Sequence, residues 1–364
     1  MIDGQCDPAF EPVREAFAAG FAGDELGAAV SVRVDGRVVV DLWGGRTAEG
    51  TPWGADTVVN LFSVTKGVVA TVAHRLAARG ELDLDAKVAG YWPEYAAHGK
   101  GGTTVRDLLG HRAGMPALRE EQPPGSLYDW SALTTALAEE PPWWEPGSRH
   151  GYHAVTYGFL VGEVLRRVSG KSVRELVVRE LGVDVHIGLP ESERHRLSGV
   201  VLGAQPTEPS PALAALADRD SMTHKAFANP PDLTSADLTG TSWLDAEVPA
   251  ANGHGTARAL AELYAGTLGT SFVRQAIEPV SDGADEVLFG HSRFASGYML
   301  PSPMRPFSPG ASAFGHPGAG GALAFGDVDA GLAFGYTPNR LRTSVSGSDP
   351  RWDRLVGAVY SCLS

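Results

Sequence analysis

Two stretches of alternating, β-branched sequence stand at opposite ends of the chain, and their separation restricts the folds open to it. Near the start, Ala29-Val30-Ser31-Val32-Arg33-Val34 and Arg37-Val38-Val39-Val40-Asp41-Leu42 flank the pair Asp35-Gly36. An Asp-Gly pair tolerates the positive φ angles of a tight turn, so residues 27–44 read as a hairpin. Near the end, Gly321-Ala322-Leu323-Ala324-Phe325 and Gly331-Leu332-Ala333-Phe334-Gly335-Tyr336 flank residues 327–330 and read as a second hairpin. Between the two, the apolar spacing is helical. Residues 64–79 are apolar at 68, 69, 72, 73 and 76 and stop at Gly80, a suitable residue for the left-handed position after a helix. Residues 104–109, 154–168 and 256–267 are further helical segments, and Leu355, Val356, Val359 and Tyr360 mark a closing amphipathic helix over 352–362.

This pattern predicts an α+β fold: one antiparallel sheet built from both chain termini and flanked by helices, with a mostly helical region inserted. The sheet region is assigned to residues 1–80 and 281–364, and the inserted region to residues 81–280. The stretch 191–252 contains Gln205-Pro206-Thr207-Glu208-Pro209-Ser210-Pro211 and Asn229-Pro230-Pro231 and is expected to be loop-rich. Long loops in compact domains often serve as lids or binding loops.

Composition removes several functions. The 364 residues are 43% hydrophobic and 20% charged, which suffices for one large core or two moderate ones. A formal charge of -13 argues against a nucleic-acid partner, which needs a basic face, and suits a neutral small-molecule substrate. Cys6 and Cys362 are too few for a disulfide framework, and neither lies in a metal or redox motif. No run approaches the roughly 18 apolar residues of a membrane span. Residues 1–5 have neither the basic nor the apolar region of a secretory signal, so a soluble cytoplasmic protein is expected.

Three segments carry chemistry. In Leu61-Phe62-Ser63-Val64-Thr65-Lys66-Gly67, a serine sits where a helix begins and a lysine follows three residues on. Side chains at that spacing share a helix face with Cβ atoms about 5–6 Å apart, so the two can meet. A serine hydroxyl needs a base to take its proton, and a lysine serves only when kept partly neutral. A helix N-terminus helps twice: its positive potential disfavours an ammonium, and its N–H groups can hold an oxyanion. The same four residues also suit an N-cap serine and a solvated lysine. What singles them out is their setting: they follow an apolar stretch, open the most apolar helix and form the only Ser-x-x-Lys in the chain.

The second segment, Glu145-Pro146-Gly147-Ser148-Arg149-His150-Gly151-Tyr152-His153, is a Pro-Gly turn that leads to a tyrosine just ahead of a helix. A phenol near a cation can relay a proton between nucleophile and leaving group, which makes Tyr152 the candidate. His150 and His153 are spaced for a metal, but no third ligand accompanies them, and no metal or cofactor is expected. The third segment, Phe314-Gly315-His316-Pro317-Gly318-Ala319-Gly320-Gly321-Ala322, opens the C-terminal hairpin. Its glycines let a substrate approach the backbone. Pro317 has no N–H, so Ala319 is expected to join the Ser63 N–H in an oxyanion hole.

Together these segments resemble the serine β-lactamase and penicillin-binding protein superfamily, whose signatures include S-x-x-K and K-T-G. The resemblance runs from about residue 25 to the end. It takes in Thr104-Val105-Arg106-Asp107-Leu108-Leu109-Gly110-His111-Arg112-Ala113-Gly114-Met115-Pro116, like the family's helix and turn before the tyrosine, and Gly335-Tyr336-Thr337-Pro338-Asn339-Arg340, like its last strand. A tyrosine in the second motif points to the class C-like branch. Members that recognise penicillin usually carry Asn where Ala154 stands and Lys where His316 stands. Losing that amide and that fixed cation removes groups suited to a charged peptide-like substrate. The variant pattern is similar to that of family VIII carboxylesterases. The resemblance implies that Ser63 is the nucleophile, with Lys66 and Tyr152 moving protons and a small-molecule ester or acyl compound as substrate. His316, Gly318, His153 and Trp243 are expected at the substrate, and Trp130, Trp143, Trp144 and Tyr298 are further pocket candidates. Rival readings are an acyltransferase acting on a natural product, a D-alanyl peptidase or β-lactamase, and a non-catalytic binding protein. No Gly-x-Ser-x-Gly occurs, which disfavours an α/β-hydrolase.

Overall fold

Asp35 and Gly36 take positive φ values of 48° and 79° in the computed structural model, which describes residues 2–203, 210–342 and 347–363. Their turn joins the second and third of six strands: β1 (Ile2–Cys6), β2 (Gly27–Val34), β3 (Arg37–Gly45), β4 (Ala313–Pro317), β5 (Leu323–Asp327) and β6 (Leu332–Pro338). They form one antiparallel sheet in the order β1-β3-β2-β6-β5-β4. The two terminal hairpins meet at its centre, where β2 pairs β6 from Val34 opposite Leu332 to Ala28 opposite Pro338. Every residue of β5 and β6 is buried, so both faces are covered. Burial on both faces explains their nearly continuous apolar text. β1 left no signal in the sequence, because Gly4 interrupts its pattern and an edge strand needs only the backbone of β3, with Gly4 opposite Leu42.

Five helices frame the site: α1 (Glu11–Phe21), α2 (Val64–Ala78), α3 (Thr156–Ser169), α4 (Ala257–Leu268) and α5 (Pro350–Ser361). α4 lies across β2, β5 and β6, while α1 packs on α5. α4 thus covers the sheet although it falls within the 81–280 stretch assigned to the inserted region. α2 packs between β4 and α3 and is buried at twelve of its fifteen positions, so it has no solvent face. It ends as its sequence predicts. Gly80 at φ 73° donates to Ala77 O, and Glu81 donates to Leu76 O, satisfying the last carbonyls.

The 191–252 stretch is more ordered than its prolines suggest. Helices span Pro211–Ala217, Met222–Ala228, Asp232–Ser235 and Thr241–Asp245, and the first two start at side-chain caps, Ser210 to Leu213 N and Ser221 to His224 N. Pro211 sits in the first turn, where a missing N–H costs nothing. Residues 204–209, most of the proline-rich run, lie outside the described residues. Among the described residues no helix is long and apolar enough to cross a membrane.

Candidate active site

Ser63 owes its position to a strained turn. Phe62, just before it, holds φ at 48°, a left-handed conformation that costs a non-glycine residue on the order of 1 kcal/mol or more. Three hydrogen bonds hold it there. Thr65 Oγ1 donates to Phe62 O at 2.5 Å, Gly253 N donates to Thr65 Oγ1 at 2.9 Å, and Leu61 N donates to Gly253 O at 2.7 Å. A short strand from the inserted region, Gly253–Gly255, thereby fixes the first turn of α2.

Lys66 Nζ is fully buried and lies 2.7 Å from Ala154 O, 3.1 Å from Ala250 O and 3.2 Å from Ser63 Oγ. Burial holds its pKa well below the ordinary value of 10.5, which favours the neutral amine. A neutral amine has two N–H bonds and one lone pair. With the two carbonyls accepting N–H bonds, the neutral form would turn its lone pair to Ser63 Oγ. Tyr152 Oη lies 2.8 Å from the same oxygen. Burial pushes the phenol pKa upward, so it stays protonated and donates to Ser63 Oγ. In that form the hydrogen bonds run in one direction, from Tyr152 to Ser63 to Lys66.

Tyr152 is held by residues that local pattern does not reveal. Its N–H donates to Asp285 Oδ1 at 3.1 Å, and the same oxygen accepts from Val287 N and Leu288 N, each at 2.9 Å. Asp285 Oδ2 accepts from Ser292 Oγ at 2.7 Å, and Ser292 Oγ meets His150 Nε2 at 2.9 Å. The ring stacks on Phe294 with planes 12° apart. Asp285 sits 133 positions from Tyr152.

His316, Pro317, Gly318 and Ala319 line a cavity of about 220 Å³ together with Ser63 and Tyr152. A Cβ on Gly318 would stand 2.5 Å from Leu61 O, so only glycine lets this loop come so close to the serine turn. The start of α5 ties the loop from behind, Trp352 Nε1 donating to Gly321 O at 2.8 Å and Arg351 Nη2 to Gly320 O at 3.3 Å. Among the described residues, no backbone oxygen accepts from Ser63 N or Ala319 N. Burial pushes the His316 pKa down to about 3, and its Nδ1 meets Pro317 O at 2.7 Å.

Other expected pocket residues lie elsewhere. His153 is wholly buried, with Met115 N donating to its Nε2 at 3.0 Å and its Nδ1 2.6 Å from Gly151 O. Tyr152 and His153 adjoin outside any helix, and with Tyr152 turned to the cavity the histidine enters the core. Trp243 donates from Nε1 to Asn60 Oδ1 at 3.0 Å, away from the cavity. Trp130, Trp143, Trp144 and Tyr298 bond to Glu163, Ala117 O, Arg149 O and Thr71 respectively and do not line it either. The apolar wall is instead Leu216, Phe227, Leu288, Met299 and Trp352, with Arg305, Arg342 and Asp349 among the polar lining groups. Leu216 and Phe227 come from the 191–252 stretch, where Ser210 and Ser221 ahead of short apolar runs were legible helix starts. Among the described residues, no three His, Cys, Asp or Glu side chains converge to hold a metal.

The buried histidines make an acid-stability prediction. Burial lowers His74, His153 and His254 from 6.5 to about 4, and lowers His111 as well. Between pH 6.5 and 4 the unfolded chain binds protons that the folded chain refuses, so stability falls as pH falls through that window. Each such histidine contributes a slope of up to about 1.4 kcal/mol per pH unit. Urea midpoints measured at about pH 7 and pH 5 should differ strongly, the lower pH giving the lower midpoint. Equal midpoints would mean that these rings are already charged in the fold.

The fold and the Ser63 site together define the class: the chain belongs to the Beta-lactamase family, whose model matches residues 13–358. The superfamily and the antiparallel-sheet fold expected from the sequence are the ones found. Within that class, it is 35% identical to the esterase/beta-lactamase LipL of Mycobacterium tuberculosis H37Rv, over 96% of this chain and 85% of the relative. Among solved structures, it is similar to a family VIII carboxylesterase at TM-score 0.89 and 38% identity, and to a penicillin-binding protein homolog from Caulobacter crescentus at 0.88 and 37%. Both matches cover 100% of each chain.

Proposed function

We propose that this protein is a serine carboxylesterase that hydrolyses small-molecule carboxylic esters through an acyl-enzyme on Ser63. The observation that carries the reading is the convergence of buried Lys66 Nζ at 3.2 Å and Tyr152 Oη at 2.8 Å on Ser63 Oγ. Relatives and solved neighbours named esterase and carboxylesterase support it.

Lys66 takes the Ser63 proton as Oγ bonds to the ester carbonyl carbon. The carbonyl oxygen gains negative charge and is met by Ser63 N–H and Ala319 N–H. When the C–O bond to the alcohol breaks, Tyr152 gives its proton to the departing oxygen. An ammonium is unfavourable in the buried Lys66 site, so its proton passes on to restore the phenol. Water then attacks the acyl carbon and surrenders a proton to the same relay, releasing the acid and Ser63. This chemistry uses only side chains and backbone N–H groups.

Incubation with a fluorophosphonate, followed by peptide mass spectrometry, should place one adduct on Ser63, and short p-nitrophenyl esters should be turned over. An unlabelled protein with no turnover would overturn the reading. A second prediction isolates Tyr152. Nitrophenolate leaves without a proton and an alkoxide does not, so Tyr152→Phe should lose about 10²–10⁴-fold in kcat/KM on alkyl esters and markedly less on p-nitrophenyl esters. Equal losses on both would take the leaving-group role from Tyr152.

A further inference from the structure

Tyr152 lies outside any helix or strand, so no regular backbone ladder sets where its phenol stands. His111 takes the residues on either side: Gly151 N donates to His111 O at 3.1 Å, and His153 N donates to His111 Nδ1 at 3.0 Å. The N–H of Tyr152 itself goes to Asp285. We propose that Asp285 is a positioning residue for the step that expels the alcohol. It fixes the register between the Tyr152 segment and the turn at 285–290, and thereby the point from which the phenol delivers its proton. This inference rests on the esterase reading above, with Tyr152 as its acid.

Asp285 is buried and does not line the cavity, so it acts through other residues and not on substrate. Its carboxyl gathers four donors: Oδ1 accepts from Tyr152 N, Val287 N and Leu288 N, and Oδ2 accepts from Ser292 Oγ. Ser292 gives its one hydrogen to Oδ2, so His150 Nε2 is the donor in its contact with Ser292 Oγ. The chain of bonds therefore leaves the tyrosine segment at His150, passes through Ser292 and Asp285, and returns at Tyr152, two residues further on. A closed ring of this kind holds the backbone at 152 from both sides.

The turn is locked to the same segment by contacts in the other direction. Glu286 N donates back to His150 O at 3.2 Å, and a Cβ on Gly151 would stand 3.1 Å from Glu286 Cβ and from Val287 Cγ2. On the far side, Thr223 Oγ1 donates to Val287 O at 2.8 Å, which ties in the helix Met222–Ala228 and its Phe227. Leu288 and Phe227 wall the cavity, so one carboxyl keeps the phenol and the apolar wall in a common frame. Tyr152 Oη works at 2.8 Å from Ser63 Oγ, and a displacement of about 1 Å at such a centre costs on the order of 100-fold in rate.

Ethyl butanoate and p-nitrophenyl butanoate test the proposal. Both give the same butanoyl-enzyme, so they differ only in the step that expels the alcohol, and only ethanol needs a proton to leave. Asp285→Ala should lower kcat/KM on ethyl butanoate by about 10- to 100-fold and on p-nitrophenyl butanoate by markedly less. That extra loss should vanish in the Tyr152→Phe background, where no phenol remains to be placed. Asp285→Asn keeps an oxygen for the three N–H groups and should recover most of the ethyl-ester rate. Equal losses on both esters, a loss that multiplies with that of Tyr152→Phe, or Asp285→Asn as impaired as Asp285→Ala would each overturn the proposal. Asp285→Ala leaves three buried N–H groups without an acceptor, so melting curves accompany the rates. If it does not fold, Asp285→Glu decides: it keeps the charge but moves the carboxyl by one methylene, so it should show the selective ethyl-ester loss. Wild-type rates or equal losses on both esters would then overturn the proposal. Tyr152→Phe losing equally on both esters would remove the phenol as acid and the role of Asp285 with it. A wild-type protein that neither takes the fluorophosphonate nor cleaves either ester would overturn the esterase reading itself.

Discussion

Alanine at position 63 is expected to lower kcat/KM on every ester by roughly 10⁴- to 10⁶-fold, the range seen when a nucleophile is removed from a coupled catalytic set. The fold should survive, because among the described residues the Ser63 side chain makes no capping hydrogen bond to α2 and its oxygen meets only Lys66 and Tyr152. Substitutions of N-cap serines ordinarily cost about 0.5–2 kcal/mol, and here that loss should be absent. The check pairs p-nitrophenyl butanoate kinetics with a thermal melt. Wild-type turnover in a well-folded Ser63→Ala protein would remove Ser63 as nucleophile. A collapsed melting temperature would show that the hydroxyl serves structure after all.

Lys66→Met carries the second large effect, and it separates base from scaffold. Methionine keeps the length and loses the lone pair, so kcat/KM should fall by about 10³-fold or more. The stability signature has a definite sign. The folded-state pKa of Lys66 lies well below its unfolded value of 10.5, so between those values the unfolded chain binds a proton that the folded chain does not. Wild-type stability therefore gains relative to Lys66→Met as pH rises from neutrality toward 10.5, at up to about 1.4 kcal/mol per pH unit. The variant also leaves Ala154 O and Ala250 O without the amine, a loss that does not vary with pH. A pH series of urea midpoints for both proteins reads the difference. A constant gap would mean that Lys66 is charged in the fold, and Lys66 would then not be the base. The kcat/KM profile offers the same test, since its acid limb should end well below pH 10.5.

Much of this site was legible before any coordinates. The meeting of Ser63 and Lys66 follows from i, i+3 helix geometry, and the Asp35-Gly36 turn from the φ tolerance of two residues. Both are local facts, and local facts are written in consecutive residues. Tyr152 was named through its motif context, but what holds it was not. Asp285 and Phe294 come from segments more than a hundred positions away and carry no spacing relation to residue 152. His153 adjoins Tyr152 in the second segment, and Trp243 is an aromatic of the 191–252 stretch with no motif beside it. Their direction was decided by burial, the histidine against Met115 N and the tryptophan against Asn60.

By itself, then, the amino-acid sequence determined the two terminal hairpins, the central buried helix, the serine–lysine pair and the glycine loop at 318, because each depends on backbone freedom or periodicity within a few residues. Tertiary structure alone decided the burial of Lys66 that lowers its pKa, the wall of the cavity and the presence of Arg305 within it. A pKa depends on how much water is removed and which carbonyls converge. A cavity wall depends on which distant segments pack together, and no local pattern encodes either.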